Sequence, residues 1–440
     1  MSFFRQRLNI PGTDTHVRAT KHPAPGILLM FALLLCSPFP ASAQTGDSTV
    51  VTFVQAPIDI MNRTATGRFA FPESNLAYQR ILMIYTIECP SKGCDPWDRV
   101  STISVRRSPE SAGTSEEEVI EIGRVITPPD RGGSWVLDVT DYRSLLRDSV
   151  TLSNYIQTSI GGGQGFSVTI LFRFIKGTPD FEAYKVENLW NGLPVYGDPG
   201  NPIERFLRPL GMQADSEADF IRLNMTVTGH GEGNTDNAAR YSRKLHSLSV
   251  ADTTFSRYLW RDDCAKLPGT PDIEEWKRPH AGFCLGEVVA PWKQDISRYA
   301  MPGTLYTVDY SVEPYENECR PRADSCPCDD CSYLVINHTP PFYWIESQVI
   351  SYRIFNEADD SQLRVEMTDS PGIVRVTPIL EQPAPVEIQV RTIDGEEIYR
   401  RLASGVTEHS FTLDLSTTPG VYLLRVLTPT TVLRRRLVIR

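Results

Sequence analysis

The sequence has 440 residues, of which 41% are hydrophobic and 22% charged, so it has the composition of a soluble globular protein and is too long for one ordinary core. We expect two or three domains. The 44 Lys and Arg residues against 54 Asp and Glu residues give a formal net charge of -10. Apart from a short arginine run at 434–436 there is no basic block, which argues against a nucleic-acid partner.

The first 43 residues have the layout of a secretory signal, with four basic residues, an apolar run at 26–35 and small residues at 41–43. The apolar run is too short to span a bilayer. Because Leu35 rather than a small residue precedes Cys36, plain cleavage is favoured over lipid attachment. We therefore expect a chain exported through the periplasm, either secreted or attached to the cell surface.

Beyond the signal, short stretches of alternating apolar and polar residues are broken by Gly, Pro, Asn and Asp. The stretches 221–228 and 305–312, for example, each place every second, apolar residue on one face. Such alternation is typical of half-buried strands. The pattern predicts an all-β protein built from antiparallel sandwiches.

Turn and linker signals divide this part of the chain into three segments. The first, 48–185, closes with the turn Gly-Thr-Pro-Asp at 177–180, and the second, 186–353, begins with a Gly- and Pro-rich stretch at 191–202. The third, 359–440, follows an acidic, polar link and has the pattern of a small, separate immunoglobulin-like sandwich.

The third segment has a specific order of features. An apolar strand at 386–390 is followed by the turn Asp394-Gly395, a strand at 397–402, and Gly-Val-Tyr-Leu-Leu at 420–424 before a basic closing strand. This order resembles the C-terminal sorting domain of the bacterial type IX secretion system. The alternative is an ordinary immunoglobulin-like module. The resemblance implies a transport address read by the type IX machinery, with no chemistry of its own.

Cysteine usage agrees with export. Cys36 leaves with the signal, and the even number that remains predicts disulfides. Cys89 and Cys94 are close enough to close a tight loop in front of residues 97–99. An insertion at 319–331 holds four more cysteines, which could bind zinc or form two disulfides in any of three pairings; export favours disulfides. These four are Cys319, Cys326, Cys328 and Cys331.

From the residues alone, Asp98 beside Arg99 has two interpretations: a structural ion pair, or a carboxylate presented at a rim to activate water or hold a polar substrate. Five histidines follow the signal, but none has the His-x-His or His-x-x-x-His spacing, which disfavours a zinc or copper site. They are His230, His246, His280, His338 and His409.

Four motifs follow one another across the first segment: Cys-Pro-Ser-Lys-Gly-Cys-Asp-Pro-Trp-Asp-Arg at 89–99, Glu-Ile-Gly-Arg-Val-Ile-Thr-Pro at 121–128, Leu-Asp-Val-Thr-Asp at 137–141 and Gly-Thr-Pro-Asp at 177–180. In this order and spacing they resemble the bacterial peptide-N-glycosidase F family. The resemblance implies two antiparallel jelly rolls side by side, a fold shared with copper type II monooxygenases, with the active site at their junction. It also implies hydrolysis, without metal or cofactor, of the amide bond that joins an N-glycan to asparagine.

The second segment resembles the family more loosely, through Ala-Gly-Phe-Cys-Leu-Gly at 281–286 and Pro-Pro-Phe-Tyr-Trp-Ile at 340–345. Here the resemblance implies a disulfide between Cys264 and Cys284.

The family's site residues fall unevenly on this chain. In the family, the aspartate of Trp-Asp-Arg is the main catalytic residue, which implies catalysis by Asp98 and substrate binding by Arg99 and Trp97. Two further family glutamates fall on Gln157 and Arg240. The amide of Gln157 keeps the hydrogen-bonding shape without the charge, and the guanidinium of Arg240 reverses the charge beside Asp98.

Other polar residues could complete the substrate-binding site. A family arginine falls on His280, with Arg278 close by. The Gly-rich loop 229–236 offers His230 and Glu232. Glu232 would replace the missing glutamate from a shifted backbone position; the alternative is a polar, Gly-rich loop without a catalytic role. The candidate substrate-binding residues are therefore Trp97, Arg99, Gln157, His230, Glu232, Arg240 and His280.

Two functions follow. The first is a secreted, monomeric amidase that cleaves N-glycopeptides with Asp98 as principal catalyst. The second is a glycan- or glycopeptide-binding protein on the same scaffold, impaired in catalysis by Gln157 and Arg240. A carboxylate such as Glu232 within water-bridged reach of Asp98 would favour the enzyme, whereas an ion pair between Arg240 and Asp98 would favour the binding protein.

Overall fold

The computed structural model describes residues 46–107, 117–319, 339–416 and 419–439. The predicted signal, His338, Cys326, Cys328 and Cys331 lie outside the described residues. Residues 44–440 belong to one compact unit, so the division into domains at 185/186 and 353/359 stays a prediction. No helix within the described ranges is both long and apolar enough to cross a bilayer.

The all-β prediction is confirmed, because antiparallel strands dominate the described residues. The first nine strands are Ser48–Val51 (β1), Ala56–Ile58 (β2), Thr64–Ala70 (β3), Tyr78–Glu88 (β4), Val100–Arg107 (β5), Glu118–Ile126 (β6), Gly133–Asp138 (β7), Ser149–Ile156 (β8) and Phe166–Lys176 (β9). They form two sheets, ordered β1-β9-β4-β7, with β2 also on β9, and β3-β8-β5-β6. Residues of both sheets share one apolar core, as in a sandwich.

Strand alternation explains this core. In β9 the residues Phe166, Val168, Ile170, Phe172 and Phe174 are all at most 1% exposed, while the residues between them are not buried. Because successive side chains of a strand point to opposite faces, this period of two commits one face of β9 to the core. Each such buried side chain contributes about 1.5–3 kcal/mol.

The next eight strands form a second pair of sheets. They are Phe181–Gly192 (β10), Leu210–Gln213 (β11), Phe220–Glu232 (β12), Lys244–Val250 (β13), Thr253–Leu259 (β14), Trp292–Asp295 (β15), Leu305–Val312 (β16) and Thr339–Ile354 (β17). The sheets are ordered β10-β17-β12-β15 and β11-β16-β13-β14 and share a second apolar core. A one-turn helix, Glu274–Lys277 (α1), lies in the connection between β14 and β15.

The last six strands form a third β unit: Leu363–Met367 (β18), Ile373–Arg391 (β19), Glu397–Glu408 (β20), Phe411–Asp414 (β21), Gly420–Leu427 (β22) and Val432–Ile439 (β23). The predicted turn at Asp394-Gly395 lies between β19 and β20. Asp180 joins this unit to the preceding sandwiches, because its Oδ1 accepts a hydrogen bond from Arg434 Nε at 2.9 Å and pairs with Arg425 Nε at 3.3 Å.

The first two sandwiches meet along β6. The backbone N–H of Ile126 donates to the carbonyl of Glu287 at 3.0 Å, and Val289 donates to the carbonyl of Arg124 at 2.9 Å. An apolar cluster shared by both sandwiches lies beside these bonds; it comprises Val100, Ile126, Trp276, Phe283, Leu285 and Val289. This contact brings the start of β5 next to α1 and the chain that follows it.

Candidate functional site at the junction of the first two sandwiches

A disulfide-closed loop presents residues 97–99 at the junction. Cys89 and Cys94 are bonded, with their Cα atoms 4.5 Å apart. The loop turns through Gly93, whose φ of 106° is a conformation that side chains with a Cβ rarely adopt. The ring of Trp97 is left 62% exposed, next to Asp98.

Arg99 is held by Asp95, a residue that the sequence analysis did not single out. The fully buried Asp95 carboxylate accepts hydrogen bonds from Arg99 Nε at 2.7 Å and Nη2 at 3.2 Å, and from the Thr158 hydroxyl at 2.6 Å. Nη2 of Arg99 also donates to Ser159 Oγ at 2.8 Å. The interpretation of Asp98 and Arg99 as a structural ion pair is therefore wrong: Arg99 pairs with the aspartate four residues before it.

Asp98 instead pairs with Arg240, across the junction. Nη2 of Arg240 donates to Asp98 Oδ1 at 3.0 Å, and the two side chains are 14% and 16% exposed. The same Nη2 lies 3.6 Å from Oε1 of Glu275, on α1. The ion pair expected for a binding protein is thus present, and a second carboxylate lies against the same guanidinium nitrogen.

Glu275, rather than Glu232, is the acid that lies against Arg240. Its Oε1 accepts a hydrogen bond from the Tyr241 hydroxyl at 2.7 Å and lies 3.6 Å from Nε2 of His280. The contact with His280, the Tyr241 hydroxyl and Arg240 lower the pKa of Glu275 to about 2 despite its partial burial. Glu275 therefore stays ionised at neutral pH.

Arg240 is charged in spite of its surroundings. Burial opposes its charge, but Asp98 and Glu275 outweigh this effect and raise its pKa. Its Nε is buried without a hydrogen-bond partner, and its guanidinium carbon lies 5.7 Å from the centre of the Phe283 ring. The guanidinium is therefore held by two carboxylates on one side and by an aromatic ring on another.

Five rings in a row, with two stacked and two tilted contacts, line the site next to Arg240, and we call them the aromatic column. Consecutive centroids are 5.1, 5.5, 4.7 and 5.2 Å apart. In order, the column consists of Phe342, His230, Phe283, His280 and Tyr241. Burial and the positive charge of Arg240 lower the pKa of both histidines, that of His230 well below its ordinary value, so both rings are neutral.

The chain between β14 and β15 is fixed by the disulfide between Cys264 and Cys284. Gly282 lies in this region with a φ of 84°, and a Cβ there would come within 2.5 Å of the Val227 carbonyl. His280 exchanges backbone hydrogen bonds with Arg261 at 2.8 and 3.2 Å. The guanidinium carbon of Arg278 lies 3.6 Å from the centre of the Tyr241 ring, so both candidate replacements for the family arginine are at the site.

The remaining candidates lie at the edges. Gln157 directly follows β8, and its backbone N–H donates to the Val100 carbonyl at 3.0 Å, which places it beside the strand that follows Asp98. Glu232 is exposed at the end of β12 and makes no ion pair with Arg240 in the described ranges. Its charge acts on the Tyr241 hydroxyl, whose pKa it raises, and its role as a replacement for the missing glutamate stays a prediction.

Metal and cysteine chemistry finds little support among the described residues. There, Asp263, Cys264 and Cys284 place donor atoms within 4.8 Å of one another, but the two sulfurs are bonded to each other and are not free thiolates. Cys319 is buried and disulfide-bonded. Its predicted pairing within 319–331 stays a prediction.

Sequence reasoning missed Asp95, Tyr241 and Glu275. A usable signal existed for Asp95, because the Cys-Asp-Pro-Trp-Asp-Arg motif holds two acids within reach of Arg99. Glu275 gave a weaker signal, as one of two adjacent acids in the short connection between Cys264 and Cys284.

Comparison with known proteins agrees with this architecture. A family profile described as Peptide-N-glycosidase F, C terminal, matches residues 204–325. Peptide-N(4)-(N-acetyl-beta-D-glucosaminyl)asparagine amidase F of Elizabethkingia miricola is 27% identical over 273 residues, which are 59% of this chain and 75% of that protein.

Solved structures show the same fold. PNGase F, a glycosylasparaginase from Flavobacterium meningosepticum, matches with a TM-score of 0.56 at 23% identity and covers 69% of this chain and 95% of its own. PNGF-II matches with a TM-score of 0.53 at 12% identity and covers 72% of this chain and 66% of its own. At these identities the likeness establishes the paired jelly-roll fold.

Proposed function

We propose that this chain is a secreted amidase of the peptide-N-glycosidase F type, which hydrolyses the amide bond between an N-glycan and the asparagine of a glycopeptide. Similarity to amidase F over 273 residues supports the reaction class. The observation that carries the proposal is the state of Asp98. Its Oδ1 is held by Arg240, while Oδ2 has no hydrogen-bond partner within the described ranges. A carboxylate anchored at one oxygen keeps the other for a water molecule.

Asp98 acts as the general base. It takes a proton from water while the water oxygen attacks the side-chain carbonyl carbon of the glycosylated asparagine, and the carbonyl electron pair moves onto oxygen. Collapse of this intermediate breaks the C–N bond, and the proton held by Asp98 passes to the leaving nitrogen. The products are an aspartate side chain and a glycosylamine.

Arg240 stabilises the oxyanion. Its Nη1 makes no hydrogen bond within the described ranges and is not sealed from solvent. A guanidinium N–H already oriented by Asp98 and Glu275 can donate to the developing negative charge without reorganising. In this scheme the arginine that replaces a family glutamate keeps a catalytic task, and Glu275 fixes its position.

The sugar is bound by the rings around this centre. Trp97 offers an exposed aromatic face beside Asp98. The neutral imidazole of His230 and the guanidinium of Arg278 stand on the other side, whereas His280, a candidate from the sequence, is fully buried and packs against Phe283. Gln157 and Arg99 complete the rim from the first sandwich.

A glycan- or glycopeptide-binding protein is the second candidate. The ion pair with Arg240 occupies Oδ1 of Asp98, which an unpaired carboxylate could use to bind water. The Gln157 amide, which cannot act as a base, also favours the binding protein.

The decisive assay incubates the purified protein with a fluorescent N-glycopeptide and follows release of the glycan by chromatography and mass spectrometry. Removal of a general base reduces the rate by about 10²–10⁴-fold, so Asp98→Asn is expected to fall in that range. Asp252→Asn, in the exposed turn between β13 and β14, makes the same chemical change away from the junction and should keep full activity. Glycopeptide binding without release by the unaltered protein would overturn the amidase proposal in favour of the binding protein.

We also propose that residues 359–440 direct export by the type IX route and that the mature chain begins after residue 43. The order of motifs in that segment supports this role. In a bacterium with type IX machinery, the full chain should reach the cell surface or the culture fluid, whereas a chain ending at residue 355 should accumulate in the periplasm. Equal export of both chains would contradict the proposal.

A further inference from the structure

A hydrogen-bond chain runs from the interior of the junction to the aromatic column. It begins at Arg124 on β6, a fully buried side chain. Its Nε and Nη2 donate to the two carboxylate oxygens of Glu121 at 2.8 and 2.9 Å. Its Nη1 donates to the Trp344 carbonyl at 2.8 Å and to the Thr228 hydroxyl at 3.1 Å. Arg124 is therefore fixed on all sides.

The Thr228 hydroxyl has one acceptor for its own proton. A guanidinium has no lone pair to offer, so Arg124 can only donate to Thr228. Thr228 is fully buried, and the one other polar atom bonded to its Oγ1 within the described ranges is Nε2 of His230, at 2.8 Å. If Nε2 carried a proton, the hydroxyl proton would be buried without an acceptor, which is costly. The hydroxyl therefore donates to Nε2.

This direction fixes the tautomer of His230. The ring is neutral because of burial and the nearby charges of Arg240 and Arg124, which lower its pKa well below the ordinary value. A neutral imidazole that accepts at Nε2 carries its proton on Nδ1. Nδ1 makes no hydrogen bond within the described ranges and is not sealed from solvent. The planes of Phe283 and Phe342 hold the ring nearly parallel between them, at 17° and 25°.

We infer that His230 is a neutral hydrogen-bond donor that binds an oxygen of the glycopeptide through Nδ1–H, with Thr228 and Arg124 as the positioning residues that fix its tautomer. The identity of the ligand rests on the proposed function; the tautomer does not. A donor without charge suits a hydroxyl or acetamido oxygen of the sugar, since it does not attract the carboxylates Asp98 and Glu275 that the site must keep available. Arg124, where the hydrogen-bond chain that fixes the tautomer begins, belongs to the first sandwich, whereas His230 belongs to the second.

The tautomer is measured directly by long-range ¹H–¹⁵N correlation spectra of the whole protein labelled in histidine, with the His230 signals assigned through His230→Asn. The unaltered protein should show a protonated Nδ1 and an unprotonated Nε2. Thr228→Ser keeps the hydroxyl and should keep this pattern, whereas Thr228→Val should shift the ring towards the Nε2-protonated form. A protonated Nε2 in the unaltered protein, or spectra that do not respond to Thr228→Val, would overturn the inference.

Ligand binding provides the second arm, with an N-glycopeptide as the probe. Loss of one neutral hydrogen bond weakens binding about three- to tenfold, so Thr228→Val and His230→Asn should raise Kd or KM by that factor while Thr228→Ser does not. Unchanged binding in Thr228→Val with an altered tautomer would overturn the role assigned to Nδ1. If the chain binds glycopeptide and does not hydrolyse it, the proposed amidase activity fails while both arms of this test still stand.

Discussion

The arginine–carboxylate clusters around Arg124 and Arg240, both at the junction of the first two sandwiches, differ in their access to water. The inner cluster consists of Glu121, Arg124 and Glu346, and each of these residues is at most 6% exposed. The outer cluster consists of Asp98, Arg240 and Glu275, with side chains 14%, 16% and 45% exposed. Each has one cation and two acids, but they differ in burial and in the polar groups that contact the second acid.

In the inner cluster one acid gives up its charge. Burial raises the pKa of both carboxyls, that of Glu346 well above its ordinary value. Arg124 gives two hydrogen bonds to Glu121 and forms no ion pair with Glu346 within the described ranges, so Glu346 is the acid that keeps a proton. In the outer cluster the contact with His280, the Tyr241 hydroxyl and Arg240 lower the pKa of Glu275 against its partial burial. Deep burial without an ion pair thus makes Glu346 a structural proton holder, whereas Glu275 keeps its charge through its polar contacts.

The largest effect is expected from Arg124→Gln. This change leaves the Glu121 charge buried without its cation, and breaking a buried pair in this way costs about 3–5 kcal/mol of unfolding free energy. Denaturant unfolding would measure it. The matched control is Arg106→Gln, whose partner Glu117 is 45% exposed and which should change stability by about 1 kcal/mol or less. Equal losses for the two variants would break the contrast between buried and exposed pairs.

The next effect, Glu346→Gln, has the opposite sign. Stability from the protonated Glu346 is complete below its ordinary pKa of 4.5 and is lost as pH rises towards its raised folded value. An amide needs no proton, so Glu346→Gln should be more stable than the unaltered protein by about 1–2 kcal/mol at pH 8, with the difference closing below pH 4. Unfolding curves at a series of pH values would test this. A destabilised variant at pH 8 would show that Glu346 is charged in the folded state.

A smaller loss of stability is expected from Arg240→Gln, the outer counterpart of Arg124→Gln. The carboxylates left behind are 14% and 45% exposed, so the loss should fall between those of a surface pair and a fully buried pair, at about 1–2 kcal/mol. Hydrolysis should suffer more than folding, because the oxyanion loses its charged donor; a loss of about 10²-fold in kcat is expected. A variant that is as unstable as Arg124→Gln, or that hydrolyses faster, would contradict the account of Arg240.

The smallest effect is expected from Glu275→Gln. A carboxyl whose folded pKa is lowered stabilises the fold above its ordinary value of 4.5 and loses this contribution as pH falls towards about 2. Since Glu275 is 45% exposed, the loss in the variant at neutral pH should be below about 1 kcal/mol and should vanish near pH 2. Stability curves of the two proteins that run parallel across this range would show that Glu275 carries no such contribution.

The fold was predictable because its signals are local. Alternation in stretches such as 221–228 commits one face of a strand to the core, and β12 spans that stretch. The order of motifs across 89–180 carried the paired jelly-roll prediction, which is confirmed. The family resemblance implied a position for Arg240 beside Asp98, and the ion pair between them agrees with that placement.

The rest of the site depends on contacts that no local pattern encodes. Arg99 had two acids within reach, Asp95 and Asp98, and burial of Asp95 under Thr158 decides between them. Glu275 reaches Arg240 through the orientation of a one-turn helix inside a chain closed by Cys264 and Cys284. Glu232 lies two residues beyond His230 on β12. It is exposed at the strand end and forms no ion pair with Arg240 within the described ranges.

The central claim is that the junction directs water to the asparagine side-chain carbonyl. Hydrolysis of an N-glycopeptide in ¹⁸O-labelled water tests it most directly, with both products weighed by mass spectrometry. We expect one ¹⁸O atom in the aspartate carboxylate of the peptide and release of the glycan as its glycosylamine, whose later hydrolysis to the reducing sugar takes an oxygen atom from water without the enzyme. Labelling of the sugar with an unlabelled asparagine, or no cleavage at all, would contradict the central claim.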